Sequence, residues 1–131
     1  MDYARWCQIL KHERLPAAGV DLDAFDRNVR GIAEIVQGLN PAQTIRIATK
    51  SLRVPDLVRR VLAFGPPYRG LMCYSAEEAE FLHQEGFNDL LVAYPTLGAQ
   101  DLTALRRVHE GGGSISLMVD SREGLEALAQ A

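Results

Sequence analysis

The chain has 131 residues, 47% of them hydrophobic, which is enough for one modest globular domain. Fourteen basic against 17 acidic side chains give a formal net charge of −3, which argues against nucleic acid or an anionic membrane as a partner. The first residues carry no basic segment followed by an apolar run, and no stretch reaches the length that crosses a bilayer. We therefore expect a cytoplasmic protein.

Residues 1–14 are predicted to form a helical segment ahead of the main domain, which we expect to span residues 15–131. In that domain one unit repeats, consisting of an apolar strand, a polar capping residue, an amphipathic helix and a glycine. The predicted strands begin near Ala17, Thr44, Gly70, Asp89 and Ser114.

Helix start and stop signals fix the phase of this repeat. Ser75 with Glu78, and Asp120 with Glu123, have the spacing of a capping box, in which the glutamate can bond back to the cap. The five predicted helices begin near Asp23, Pro55, Ser75, Ala99 and Asp120, and the first three end near Gly38, Gly65 and Gly86.

Strands that alternate with helices through short connections imply parallel strands and right-handed crossovers. A doubly wound sheet and a (β/α)8 barrel both satisfy this pattern. The turn after the first predicted strand, residues 21–24, has no GxGxxG sequence, which weighs against a dinucleotide-binding fold. A complete barrel needs about 250 residues. We therefore predict an α/β fold that is the N-terminal part of a TIM-type barrel, with about five strands.

Lys50 stands at the end of the second predicted strand, where the chain turns outward toward its helix. Ile45 and Ile47 alternate with Arg46 and Ala48, so a period of two places Lys50 on the face of Ala48. If helices cover the isoleucine face, the lysine points to the mouth of the space that the strands enclose. An amine in that position can be desolvated and made nucleophilic, and Lys50 is therefore the candidate reactive group.

Four segments in order carry a resemblance to a known family: residues 20–28, 45–51, 70–80 and 89–96. They resemble the N-terminal part of fold-type III pyridoxal-phosphate enzymes, the relatives of alanine racemase, D-threonine aldolase and D-serine dehydratase. The last two segments are more similar to the branch called amino-acid aldolases or deaminases. The resemblance implies that Lys50 forms a Schiff base with pyridoxal 5′-phosphate.

The same resemblance implies that the chain is the N-terminal portion of a larger lyase or isomerase, itself inactive as a fragment. The expected substrate is a small amino acid of D configuration or of β-hydroxy type, and the expected assembly is a homodimer. Enzymes of this kind carry a second, β-rich domain, which in the aldolase and dehydratase branches holds a divalent metal. His12, His83 and His109 have no ligand spacing among themselves, so no metal site is predicted in these 131 residues.

Three further residues have two interpretations each. Arg46 could supply a like charge that activates Lys50, or it could be a barrel-floor residue paired with a carboxylate. Arg53 could bind a phosphate or a substrate carboxylate with its planar fork, or it could simply be solvated. Tyr94 could contact the cofactor ring or line the substrate entrance, or it could be a core or rim aromatic residue.

A different class of function also fits the sequence. The chain could be a non-catalytic module that binds pyridoxal phosphate, or one that assembles with itself. An open sheet of about five strands has edges and an interior face that need cover, and self-association supplies that cover.

Overall fold

The computed structural model describes residues 2–130 of the chain. Four strands alternate with helices, and a 3-10 turn at Thr49–Ser51 follows the first strand. The helices are α1 Tyr3–Leu10, α2 Leu22–Leu39, α3 Pro55–Leu62, α4 Ala76–Gln84, α5 Ala99–Glu110 and α6 Arg122–Gln130, and the strands are β1 Ile45–Ala48, β2 Tyr68–Cys73, β3 Leu90–Val92 and β4 Ile115–Leu117. Within these residues, none of the helices combines the length and the apolar character needed to span a membrane.

The four strands form one parallel sheet in the order β1-β2-β3-β4. Along one row of the sheet Leu71 lies beside Leu90, and Leu90 lies beside Ile115. A doubly wound sheet reverses its strand order at a switch point, whereas this order never reverses. With right-handed crossovers, an unreversed order places every connecting helix on the same face, as in a barrel. The predicted α/β class, with parallel β/α units forming part of a barrel, is confirmed.

Side chains of the strands alternate between a helix-covered face and an open face. The open-face positions, such as Met72 and Leu91, are only partly buried. On the covered face Ile47 is buried, as expected if helices pack on the isoleucine side of β1. The strand residues of this core are Ile47, Tyr68, Leu71, Cys73, Leu90 and Val92, and they pack with helix residues such as Val58, Val61, Ala79, Leu82 and Val108.

The strand predicted near Ala17 does not form. Residues 17–20 have irregular backbone, are exposed and take no part in the sheet. Alanine and glycine have low strand propensity, and a short strand gains stability only from pairing and packing against neighbours. Gly19 instead lies against the Trp6 ring of α1, where a Cβ on residue 19 would collide with the indole. The sheet of the described residues thus has four strands rather than five.

Two helices take a different cap from the one predicted. The helix predicted to begin near Asp23, where that aspartate was the expected cap, is α2, and Asp21 caps it instead, because Asp21 Oδ1 accepts a hydrogen bond from Ala24 N at 3.1 Å. That bond is the main cause of the lowered pKa of the Asp21 carboxyl. At α6 the Ser121 hydroxyl, rather than Asp120, accepts from the backbone of the first turn. In each case neighbouring residues offered similar capping chemistry, and the path of the loop selected one of them.

Gly70 is required where β2 passes the next strand. Its φ is +67°, and a Cβ there would meet the Arg46 guanidinium and the Asp89 carbonyl oxygen, the latter at 2.5 Å. Gly70→Ala should lower the free energy of unfolding by about 2–4 kcal/mol, because left-handed strain and overpacking add. Urea unfolding followed by circular dichroism measures this loss.

Gly65→Ala is the matched control for that substitution. Gly65 also has a positive φ, +73°, but a Cβ there would meet no atom within 4 Å. Gly65→Ala should lower the free energy of unfolding by about 1 kcal/mol, because it introduces only the backbone strain. Equal losses in the two variants would contradict the proposed collision at Gly70.

Candidate functional site

Parallel strands bring their carboxyl ends to one edge of a sheet, and three side chains converge at that edge here. Lys50 lies in the 3-10 turn after β1, Tyr74 directly follows β2, and Tyr94 comes two residues after β3. Lys50 Nζ donates a hydrogen bond to Tyr94 Oη at 3.1 Å. The rings of Tyr74 and Tyr94 meet edge to face, with centroids 5.5 Å apart. We call these three residues the lysine–tyrosine cluster.

The amine of Lys50 contacts the hydroxyl of Tyr94 and not the face of its ring. Nζ lies 3.1 Å from Oη and 5.8 Å from the ring centroid. The distance from Nζ to the ring centroid nearly equals the distance from Nζ to Oη plus the distance from Oη to the ring centre. Nζ therefore lies nearly in line with the C–O bond. The contact is therefore a charge-assisted hydrogen bond rather than a cation–π interaction.

The side chain of Lys50 is exposed among the described residues. A reactive lysine was expected to be desolvated at this edge, and that desolvation is not seen. Burial is imposed by neighbouring elements, and on the open face of a four-stranded sheet few of them surround the amine. Tyr94 is the polar partner that locates Nζ at this edge.

A cleft of about 460 Å³ opens beside the lysine–tyrosine cluster. Both tyrosine rings are about half exposed, 55% for Tyr74 and 45% for Tyr94, so their surfaces are accessible to a ligand. The loop behind Tyr94 is fixed by the Thr96 hydroxyl, which donates to Asp101 Oδ2 at 2.5 Å and accepts from Gly98 N at 3.1 Å. The cleft is lined by Tyr74, Ser75, Ala76, Val92, Tyr94, Pro95, Thr96 and Asp101.

A groove of about 510 Å³ lies elsewhere, between α4 and α5 on the helix side of the sheet. Its cationic residue, Arg107, is already paired with Glu80, the two side chains approaching to 3.2 Å. The groove is somewhat larger than the cleft, but neither tyrosine of the cluster lines it, whereas both line the cleft. The smaller cleft at the carboxyl edge is therefore the better candidate for chemistry.

Sequence reasoning missed a hydrogen-bond network around the buried residue Thr49, directly before Lys50. Thr49 is only 2% exposed, and its hydroxyl donates to Glu78 Oε2 at 2.6 Å. The same carboxylate oxygen accepts from Tyr74 N, also at 2.6 Å. Only half of the predicted capping box forms, because Ser75 Oγ accepts from Glu78 N at 3.1 Å while the Glu78 carboxylate turns to the other two residues. The capping spacing was the one sequence signal that singled out Glu78.

Arg53 lies outside the cleft. Its Nε donates to the Lys50 carbonyl oxygen at 3.3 Å. The side chain lines a small cavity of about 80 Å³ between α3 and α4, together with core residues such as Val58 and Leu82. The structure thus brings Lys50 and Tyr94 together and places Arg53 toward the helix-covered side.

Arg46 binds a carboxylate at the opposite edge of the sheet. Its guanidinium donates to the Asp89 carbonyl oxygen at 2.7 Å and to Asp89 Oδ1 at 2.5 Å, and Arg69 Nε donates to Oδ2 at 2.9 Å. Asp89 directly precedes β3, so this ion pair lies at the amino ends of the strands. Of the two interpretations of Arg46, pairing with a carboxylate on the barrel floor is the one observed.

Among residues 2–130, no group of three or more histidine, cysteine, aspartate or glutamate side chains is arranged to hold a metal ion. Cys73, the last residue of β2, is buried, and burial raises the pKa of its thiol to about 12. A thiol in this state is not ionised at neutral pH and is a poor nucleophile. Cys73 therefore does not compete with Lys50 for an electrophile.

Comparison with solved structures gives a match to the crystal structure of D-threonine aldolase from Filomicrobium marinum, with a TM-score of 0.79 and 27% sequence identity. The match covers 89% of this chain and 30% of the aldolase chain, so the protein spans about a third of the length of that structure. No protein-family model matches the sequence, and no curated protein sequence matches it. The sheet and its helices are thus arranged like one part of D-threonine aldolase, which is among the enzymes that the sequence resembles.

The ion pair of Asp89 predicts a dependence of stability on pH. Hydrogen bonding from Arg46 is the main cause that holds the pKa of the Asp89 carboxyl below its ordinary value of 3.8. A lowered native pKa stabilises the fold above the unfolded-state pKa, and that stabilisation is lost as the pH falls through the native value. Asp89→Asn should therefore cost about 1–2 kcal/mol at pH 7, a modest value because the pair is partly exposed, and progressively less as the pH falls below 3.8.

Asparagine also tolerates the left-handed backbone of residue 89, where φ is +57°, so the substitution tests the charge and not the backbone. Urea unfolding across the acid range measures the effect. Asp56→Asn is the control, because Asp56 is paired with Arg59 but its side chain is 90% exposed, and little change is expected. A difference between Asp89→Asn and the parent chain that stays constant down to pH 2 would contradict the role of the carboxylate.

Proposed function

We propose that this chain supplies the lysine that binds pyridoxal 5′-phosphate in an enzyme acting on a small amino acid. The reaction class is aldol cleavage, elimination or racemisation, and the substrate is of D configuration or β-hydroxy type. The observation that carries the proposal is the Lys50 amine held by Tyr94 at the carboxyl edge of a sheet similar to part of D-threonine aldolase. In this proposal Lys50 is the residue that condenses with the cofactor aldehyde.

The chain's own groups suit that condensation. Lys50 would hold the cofactor through its Nζ, since an unprotonated amine is the nucleophile that suits an aldehyde carbon. The Tyr94 hydroxyl can accept a hydrogen bond from the ammonium form and can donate one to the neutral amine. Tyr94 can therefore hold Nζ in one place in both protonation states.

The cleft also suits a flat aromatic ligand. The accessible rings of Tyr74 and Tyr94 form an aromatic wall beside Nζ, and aromatic rings pack well edge to face or offset. When bound, pyridoxal phosphate supplies an electron sink for a carbanion at the substrate α-carbon. Arg53 stays a prediction as a ligand for phosphate or carboxylate, because its guanidinium would have to turn from the cavity between α3 and α4 toward the cleft.

Reductive trapping tests the assignment of Lys50. Lys11 and Lys50 are the two lysines of the sequence, so each chain carries its own reference amine. After incubation with pyridoxal phosphate and reduction with borohydride, peptide mass spectrometry should find Lys50 labelled about tenfold more than Lys11, because Tyr94 holds the Lys50 amine beside the cleft. Lys11→Arg should keep the label on Lys50, and Lys50→Arg should lose it while its circular dichroism stays unchanged. Equal labelling of the two lysines would sink the proposal.

A second candidate function is a self-assembling or non-catalytic cofactor-binding module. It is favoured by apolar side chains that are exposed at the carboxyl ends of the strands, such as Tyr74 after β2 at 55% and Met118 after β4 at 49%. Sedimentation velocity over a range of concentrations distinguishes the candidates. Concentration-dependent association without preferential labelling of Lys50 would favour a self-assembling module, and preferential labelling of Lys50 with no amino-acid turnover by the larger protein would favour a cofactor carrier.

A further inference from the structure

We infer that Glu78 is a positioning residue for Lys50, and that it acts by fixing the ends of β1 and β2 to each other. The inference deepens the proposed function and rests on it for its chemistry. Glu78 lies in the first turn of α4 and does not contact the amine itself. One of its carboxylate oxygens accepts hydrogen bonds from Thr49, the residue before Lys50, and from Tyr74. The ring of Tyr74 in turn packs on Tyr94, the hydrogen-bond partner of Lys50.

The contacts form a closed circuit around the site. Glu78 Oε2 accepts from the Thr49 hydroxyl and from Tyr74 N, each at 2.6 Å. Thr49 is joined to Lys50 by a peptide bond, Lys50 Nζ binds the hydroxyl of Tyr94, and the ring of Tyr94 meets that of Tyr74. The circuit crosses the carboxyl ends of β1, β2 and β3. Displacement of one member therefore changes the position of Nζ relative to both rings.

The chemistry of the two bonds to Glu78 makes them strong. A carboxylate that accepts from a hydroxyl and from a backbone N–H makes charge-assisted hydrogen bonds, which are shorter and stronger than neutral ones. The Thr49 hydroxyl has one proton to donate, and Glu78 at 2.6 Å is a closer acceptor than the Met72 carbonyl oxygen at 3.2 Å. Since Thr49 is buried, loss of the carboxylate would leave its hydroxyl with the weaker partner.

Helix capping does not account for this arrangement. In a capping box the glutamate would return to the backbone N–H of its own cap, Ser75. Glu78 instead reaches one residue further back, to Tyr74 N, and across to β1 at Thr49. A carboxylate that served only the helix would not need the contact to Thr49. Because its carboxylate connects the ends of β1 and β2, Glu78 has a role in the site.

The experiment follows Lys50 by two independent readouts in the 131-residue chain. Reductive ¹³C-methylation places an NMR label on Lys11, on Lys50 and on the α-amine of the chain, and Lys11→Arg and Lys50→Arg assign the two lysine signals. The first readout is the chemical shift of the Lys50 signal and its cross-peak to the Tyr94 ring protons. The second is the rate at which pyridoxal phosphate and borohydride label Lys50, with Lys11 as the reference in the same molecule.

Glu78→Ala and Thr49→Val should each abolish the cross-peak and move the Lys50 signal toward that of Lys11. Labelling of Lys50 should fall about tenfold in both variants, because a misplaced nucleophile loses its oriented approach. Thr49→Ser keeps a hydroxyl and should restore both readouts. Glu77→Ala is the matched control, since Glu77 is an exposed carboxylate in the same first turn of α4, and it should leave both readouts unchanged.

Unchanged Lys50 signals and labelling in folded Glu78→Ala and Thr49→Val would overturn the inference, even if both variants melt at lower temperature. In that case Glu78 would serve stability alone. If Glu78→Ala does not fold, Thr49→Val and Glu78→Gln decide the matter, the glutamine keeping an oxygen acceptor without the charge and giving an intermediate effect. Absence of labelling in the parent chain would sink the proposed function, and the NMR readout would still decide the role of Glu78.

Discussion

Parallel pairing of strands in their sequence order is the constraint on which the rest of this structure depends. The connecting helices α3, α4 and α5 pack on one face, as expected for right-handed crossovers between adjacent strands, and the apolar side chains of that face form the core with them. The other face is left open. Every carboxyl end of a strand then lies on the same edge, so residues far apart in sequence, such as Lys50 and Tyr94, come within hydrogen-bond distance.

The same arrangement separates the charges of the open face. Arg46 and Lys50 lie on one strand and the turn that follows it, yet the guanidinium is bound by Asp89 at the amino ends while the amine reaches Tyr94 at the carboxyl ends. The ion pair at the floor stabilises the sheet and keeps the arginine there. Among residues 2–130 the amine has a neutral hydroxyl as its hydrogen-bond partner, and that hydroxyl holds it in place.

Glu78 connects the packing of the domain to its candidate chemistry. Helix α4, which carries Glu78, packs on the sheet through core residues such as Ala79 and Leu82. The Glu78 carboxylate, one residue before Ala79, joins the ends of β1 and β2. A residue in a helix can in this way set the geometry of a side chain on a neighbouring strand, which is how rigid elements support an active-site group.

The sequence alone determined the periodicity of the chain and hence the alternation of strands and helices. It also determined the face on which Ile47 is buried and the edge at which Lys50 lies, because both follow from local side-chain spacing. The strand near Ala17 was predicted from local apolar character, but a strand forms only where a neighbour pairs with it, and residues 17–20 have none in the described sheet. Tertiary structure decided the partners: Asp89 for Arg46, Tyr94 for Lys50, and Thr49 with Tyr74 N for Glu78. Local spacing cannot specify such pairs, since they join residues 20 or more positions apart or backbone groups that only the packed sheet brings into reach.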